Sequence, residues 1–134
     1  MLFGSICNLL KIKKKNFKIC AEMTEEFVQI AVVNYLKYQY PNALYCASAG
    51  GVRTSIKQAI KMKRTGYVKG FPDLFIYESR KGYHGLAIEL KTTKGTAQAS
   101  QKEWIKKLCD NGYYAKVCKG TPEALSLIQW YMND

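Results

Sequence analysis

Gly70-Phe71-Pro72-Asp73-Leu74-Phe75-Ile76-Tyr77 and Leu86-Ala87-Ile88-Glu89-Leu90-Lys91 are the stretches whose reading decides the fold. Leu74 to Tyr77 and Leu86 to Leu90 are short apolar runs of strand length. The polar link Ser79-Arg80-Lys81-Gly82 between them has the composition of a hairpin turn. With the turn centred near Lys81, antiparallel pairing sets residue 73 opposite about residue 89, so two carboxylates meet across adjacent strands. Strand alternation then puts Glu89 and Lys91 on one face and Leu90 on the other, where it can enter a core.

Working outward from this hairpin, Thr24 is an N-cap with two carboxylates in the following turn. A helix is expected from there to about Gln39, with Val28, Val32, Tyr35 and Leu36 on one face. Pro41-Asn42 stops it, and Ala43 to Ala47 reads as a short strand. Gly50-Gly51 turns into a second helix from about Thr54 to Arg64. Its apolar side is imperfect, but Lys57, Lys61 and Arg64 follow i, i+4, i+7 spacing and form a basic stripe. Beyond the hairpin, a helix is expected over roughly Gln101 to Asp110, with Ser100 and Glu103 at capping-box spacing and Thr96 as a competing cap. Trp104 and Leu108 would face inward and Gly112 would end it. Tyr113 to Cys118 reads as a strand, and Thr121-Pro122 opens a last helix that turns Leu125, Ile128 and Tyr131 inward. The order αβαββαβα predicts an α/β fold, a small mixed sheet flanked by helices.

The chain has 134 residues, enough for one domain with a core that needs no disulfide staples. An apolar fraction of 48% and ten tyrosines argue against a disordered chain. Its 21 Lys and Arg against 10 Asp and Glu leave a formal charge of +11, which attracts a polyanion. No acidic residue falls between Phe27 and Pro72, whereas Lys37, Arg53, Lys57, Lys61, Lys63, Arg64 and Lys69 do. Nucleic acid is the partner this distribution suggests.

Cys7, Cys20, Cys46, Cys109 and Cys118 are scattered and contain no Cys-x-x-Cys pair. They read as reduced intracellular thiols. His84 stands alone, which excludes two-histidine metal sites, so a metal here must be held by oxygen. In residues 1–22 the mildly apolar stretch Met1 to Leu10 precedes the lysines at 11, 13, 14 and 15, the reverse of a secretory signal, and is too short to span a bilayer. The expectation is a basic tail of unassigned function ahead of a domain at 23–134, in a soluble intracellular protein.

Asp73 and Glu89 side by side repel unless something neutralises them, and a hard divalent cation with oxygen ligands, magnesium or manganese, is the natural answer. Such an ion polarises a phosphodiester and lowers the pKa of a bound water. Lys91 would position or deprotonate that water, or offset phosphate charge. The backbone carbonyl of Leu90 is a further candidate ligand.

Pro72-Asp73 with Glu89-Leu90-Lys91 resembles the PD-(D/E)xK nuclease motif. Gly70-Phe71-Pro72-Asp73-Leu74 and Ala87-Ile88-Glu89-Leu90-Lys91 resemble the two signatures of the VRR-NUC (virus-type replication-repair nuclease) family. Thr24-Glu25 with Gln29 is similar to that family's opening helix, Ala49-Gly50-Gly51-Val52-Arg53 to its arginine turn, and Gln101 with Trp104 to its following helix. Phe71 stands where the family often carries a smaller residue. The resemblance covers residues 24 to about 118. It implies a restriction-endonuclease-like core and magnesium- or manganese-dependent cleavage of DNA phosphodiesters. For small stand-alone viral and phage members it further implies a homodimer acting on branched DNA such as Holliday junctions, in host cytoplasm or nucleus.

Carried onto this chain, the resemblance makes Asp73 and Glu89 metal ligands and Lys91 the catalytic lysine. Glu25 becomes the helix carboxylate, with Glu26 an adjacent competitor and plain helix N-terminal charge the simpler reading. Gln101 becomes a candidate contact to the lysine, a metal-bound water or a phosphate, against simple helix polarity. Arg53, Lys57, Lys61, Lys63, Arg64 and Lys69 become candidate DNA-backbone contacts, against a solvated surface. Two other readings stand beside this one: a same-fold nuclease for flaps, ends or duplex, and a non-catalytic basic nucleic-acid-binding module.

Overall fold

The computed structural model describes residues 24–49 and 53–134. Its elements follow the expected order: α1 (Glu25–Gln39), β1 (Tyr45–Ala47), α2 (Ile56–Arg64), β2 (Leu74–Ile76), β3 (Leu86–Lys91), α3 (Ala99–Asp110), β4 (Tyr114–Lys119) and α4 (Thr121–Met132). Residues 1–22 and the Gly50-Gly51 turn lie outside the described residues.

The four strands form one mixed sheet in the order β1-β2-β3-β4. β1 to β3 pair antiparallel, and β4 joins β3 in parallel after a crossover through α3. The hairpin turns at Lys81 and Gly82, both at positive φ, with Arg80 and Tyr83 bridged across it. This is the backbone twist that two-residue hairpin turns need.

Apolar alternation sorts the helices onto the two faces. Leu74, Ile76, Leu86, Ile88 and Leu90 pack with Val28, Val32 and Leu36 of α1 and with Ala124, Leu127, Ile128 and Tyr131 of α4. On the other face Phe75, Ala87 and Ala115 meet Leu108 of α3, with Trp104, Ile105, Phe71 and Tyr113 around them. Asp73, Glu89 and Lys91 share the parity of Phe75 and Ala87, so they belong to the α3 face.

Several boundaries differ from the sequence expectation. β1 begins at Tyr45 rather than Ala43, although Tyr77 N–H still donates to the Leu44 carbonyl. α2 begins at Ile56 because Ser55, not a residue before it, is the cap: Ser55 and Gln58 exchange side-chain bonds to each other's N–H. α3 begins at Ala99, and its box is formed by Gln98 and Gln101 instead of Ser100 and Glu103. The Gln101 side-chain oxygen takes the Gln98 N–H at 2.8 Å, which leaves Ser100 inside the first turn. Leu125 and Trp104 are only half-buried, while Leu127 and Ala124 carry the inner face of α4.

Candidate active site

β2 and β3 pair with Leu74 opposite Ile88, and continuing that register places Asp73 opposite Glu89. The ladder stops there because Pro72 follows in the pairing, has no N–H to donate, and is buried. The carbonyl of Leu90 thereby lacks a strand donor, and the Leu90 N–H donates to Asp73 Oδ2 at 2.8 Å rather than to a β2 carbonyl. That bond fixes the carboxylate beside Glu89. A strand residue directs its N–H and C=O to the same edge, so the Leu90 carbonyl lies on the Asp73 side. Consistently, the next carbonyl, that of Lys91, points the other way and accepts from Gly120 N–H.

Glu89 is 1% exposed. Its Oε1 accepts from Gln101 Nε2 at 2.6 Å and lies 3.1 Å from Lys91 Nζ, while its Oε2 has no protein partner. Burial, reinforced by the charge of Asp73 and opposed by Lys91, pushes the Glu89 carboxyl up to about 7. Burial also raises Asp73, against the Leu90 bond and the Lys91 charge. For Lys91 burial works in the opposite sense to its ion pairs. Glu89, joined by Glu25, outweighs that burial and holds the ammonium above its ordinary value.

Glu25, the first residue of α1, reaches Lys91 Nζ at 3.4 Å. Glu26 points elsewhere, into a groove on the outer side of α1 with Gln29, Ile30, Val33, Asn34 and Lys37. The structure thus places Glu25 with Lys91 and keeps both Glu26 and Gln29 apart from Asp73. Glu25 is turned to Lys91 rather than to the carboxylate pair. Among the described residues no three His, Cys, Asp or Glu side chains are gathered closely enough to hold a metal ion by themselves. The oxygens at this end of the pairing are those of Asp73, the free Oε2 of Glu89 and, on the Asp73 edge of β3, the Leu90 carbonyl, with Glu25 one lysine away.

A cleft of about 280 Å³ opens on this group, lined by Glu25, Asp73, Glu89, Gln101 and Lys69 together with Tyr67, Gly70, Phe71, Gln98 and Ser100. Gln101 spans the capping box and Glu89. With its oxygen fixed on Gln98, its amide nitrogen must face the carboxylate. Gly70 sits at φ +96, and a Cβ there would lie 2.7 Å from the Ser100 carbonyl. Only glycine permits that approach. Trp104 Nε1 donates to the Lys69 carbonyl at 3.1 Å and its ring meets Phe71 edge-on, so the segment entering Asp73 is fastened to α3. Tyr67 and Gln98 carry no sequence signal for the cleft, and Ser100 is expected from sequence only as a helix cap. Of the basic candidates, Lys69 lines the cleft, whereas Lys57, Lys61 and Arg64 line a separate concavity on α2; Arg53 and Lys63 are exposed.

The VRR-NUC domain model matches residues 11–122. The chain belongs to the VRR-NUC family. A solved VRR_NUC domain protein superimposes with a TM-score of 0.69 at 36% identity, covering 82% of this chain and 88% of that one. A Fanconi-associated nuclease 1 homolog from Arabidopsis thaliana is 32% identical over 62 residues. That segment is 44% of this chain and 7% of the relative, so the chain spans a small part of the relative's length. The mixed four-stranded sheet flanked by helices is therefore a VRR-NUC nuclease fold. No helix among the described residues is long and apolar enough to cross a membrane.

Proposed function

We propose that this VRR-NUC domain is a magnesium- or manganese-dependent DNA endonuclease, acting as a homodimer on branched, Holliday-junction-like DNA. The observation that carries the metal-dependent chemistry is Glu89: a buried carboxylate with one oxygen unpartnered, facing Asp73 and beside Lys91. Lys91 and Gln101 satisfy one oxygen of Glu89 and leave the other bare, and a buried carboxylate oxygen without a partner is costly unless a further cation meets it. The donors are all hard oxygens, which suits magnesium or manganese. Asp73, Glu89 and the Leu90 carbonyl would hold the ion, with Glu25 the nearest further carboxylate. When bound, the ion would polarise the phosphodiester and make a metal-bound water more acidic.

The remaining work falls to the chain's own groups. Lys91 is an ammonium at neutral pH in this arrangement, which suits offsetting phosphate charge better than taking a proton from water. Gln101 holds Glu89 in orientation through a fixed amide. Lys69 carries positive charge to the rim of the cleft. Branched substrate and dimer rest on the resemblance; the exposed Phe27 and Ile30 on α1 offer an apolar surface to a second copy.

The test is a panel of labelled junction, flap, splayed-arm, duplex and single-stranded DNAs incubated with either ion. Junction cleavage by the wild type, lost in Asp73→Ala, Glu89→Ala and Lys91→Ala while binding survives, is the expected result. No cutting of any substrate by folded protein refutes it, and cutting of flaps or duplex in preference to junctions transfers the activity to those substrates.

A further inference from the structure

The helix α2 is left without a partner. No other helix or strand of the described residues lies against it, and all its positions except the half-buried Ala59 and Met62 are exposed. Nine residues are too few for a helix to be stable on propensity alone, even with the Ser55 cap, so a binding partner would stabilise it. Its root, by contrast, is fixed at the candidate active site. Ser48 N–H donates to the Asp73 carbonyl on one limb, and Lys69 and Gly70 are held against Trp104 and Ser100 on the other.

The surface of α2 is of two kinds. At 100° per residue Lys57, Lys61 and Arg64 fall on one stripe, and Ile56 and Ile60 fall on the strip next to it, flanked on the far side by Lys63. Ile56 is 83% and Ile60 54% exposed. Two isoleucines one turn apart, set between cations, form an apolar strip inside a phosphate-binding surface. A second copy of this chain does not suit it. A two-fold contact through α2 would bring its basic stripe against its own image, and no acidic residue lies between Phe27 and Pro72 to relieve the repulsion. A polyanion suits it, but regular duplex satisfies only the lysines, because stacked bases offer isoleucine no flat apolar face. DNA with unstacked bases offers both, and aliphatic wedges between or against bases are an established way to use them.

We infer that α2 is a finger that reads open DNA structure: Ile56 and Ile60 pack on bases unstacked at a branch or fork, while Lys57, Lys61 and Arg64 hold the flanking phosphates. The inference rests on the DNA-nuclease reading and adds to it the element that prefers branched over regular DNA. It extends to recognition alone, so it is testable without cleavage.

The experiment uses the full chain carrying Asp73→Asn, in EDTA, with fluorescence anisotropy on a four-way junction and on a fully paired duplex of equal length. Ile56→Ser/Ile60→Ser is expected to weaken junction binding on the order of tenfold and duplex binding less than twofold. Lys57→Gln/Lys61→Gln is expected to weaken both DNAs and to lower the slope of log affinity against log salt by roughly 1.8. Both pairs are exposed, and circular dichroism checks that they fold. Unchanged junction binding in the isoleucine pair, or equal loss on junction and duplex, overturns the inference alone. So does a shift from dimer to monomer in sedimentation velocity, which would assign the isoleucines to a second copy. Parent protein that binds neither DNA overturns the nuclease reading and the inference together.

Discussion

Replacing Glu89 by glutamine should make the metal-free protein more stable at pH 8, although it removes a residue of the proposed site. A carboxyl whose folded pKa lies above its unfolded value keeps its proton preferentially in the folded state. Stability is then full below the unfolded value of 4.5 and declines as the pH rises through about 7. Each tenfold change in proton affinity is worth about 1.4 kcal/mol, so ionised Glu89 burdens the fold by roughly 3 kcal/mol above pH 7. That figure is already net of the attraction to Lys91, whose own stabilising contribution is present below 10.5 and is lost only above its raised folded value, outside this window. A glutamine amide that reproduces the carboxylate's packing and hydrogen bonds imperfectly returns about 1–2 kcal/mol of the gain. The expected net is about 1–2 kcal/mol in favour of Glu89→Gln at pH 8, a rise of roughly 3–8 °C in Tm, shrinking to nothing near pH 5. Differential scanning calorimetry in EDTA at pH 5, 6.5 and 8 measures it. Magnesium at about a hundred times its Kd should stabilise the wild type at pH 8 by about 2.7 kcal/mol, raising its Tm, and leave Glu89→Gln largely unmoved. A variant that is less stable than wild type at pH 8, or a wild type whose Tm ignores magnesium, would refute the claim that Glu89 is a partly compensated charge with room for a cation.

Gln101→Ala should lower kcat by roughly 10- to 100-fold with little change in KM and shift the acid limb of the pH profile, whereas a merely structural role would leave that limb in place. Gly70→Ala forces a Cβ to 2.7 Å from the Ser100 carbonyl at φ +96, and should cost roughly 2–3 kcal/mol in urea unfolding while loosening Lys69 from the cleft. An unchanged midpoint would show that this limb is not fastened to α3. Tyr131→Phe deprives the Glu78 carbonyl of its buried hydroxyl donor and should cost about 1–2 kcal/mol in the same assay, with nuclease rate per folded molecule unaltered.

The hairpin and its register were legible because both follow from short-range rules. A period of two and a Lys81-Gly82 turn leave one pairing in which Leu90 enters the core, and that pairing sets Asp73 against Glu89. The choice between Glu25 and Glu26 was not legible. Adjacent helix residues differ by 100°, and only the packing of Val28, Val32 and Leu36 on the sheet fixes which one meets Lys91. The start of α3 was misread because Ser100 has the better intrinsic capping propensity. Gln98 prevails since one Gln101 amide serves both the cap and Glu89, and Ser100 is needed where Gly70 passes. Tyr67 carries no pattern that periodicity can detect, because a loop brings it to the cleft, and Ser100 is drawn there by its place in the first turn of α3 beside Gly70. For α2 the imperfect apolar side seen in sequence is real: Ile56 and Ile60 do not enter the core at all.

The site exists because the β2–β3 ladder ends early. Had β2 continued past Leu74, a backbone carbonyl would take the Leu90 N–H, and Asp73 would be one more residue on a paired strand. Pro72 has no N–H to give the Leu90 carbonyl, so the next bonded pair cannot form in full, and the Leu90 N–H turns to the Asp73 carboxylate. The same termination leaves the Leu90 carbonyl facing the gap without a strand donor opposite it. One missing N–H thus gathers three oxygen sources within a buried corner that β3 cannot leave, since Leu90 is anchored in the core and Lys91 is bonded to Gly120. The rigidity matters for chemistry. Charged groups held by a central strand do not reorganise when charge develops at a phosphate, and such preorganisation is worth more than the same groups on a flexible loop. The proposed task of meeting DNA of variable shape is left to α2, which is rooted beside Asp73 and Gly70 and has no other helix or strand of the described residues against it.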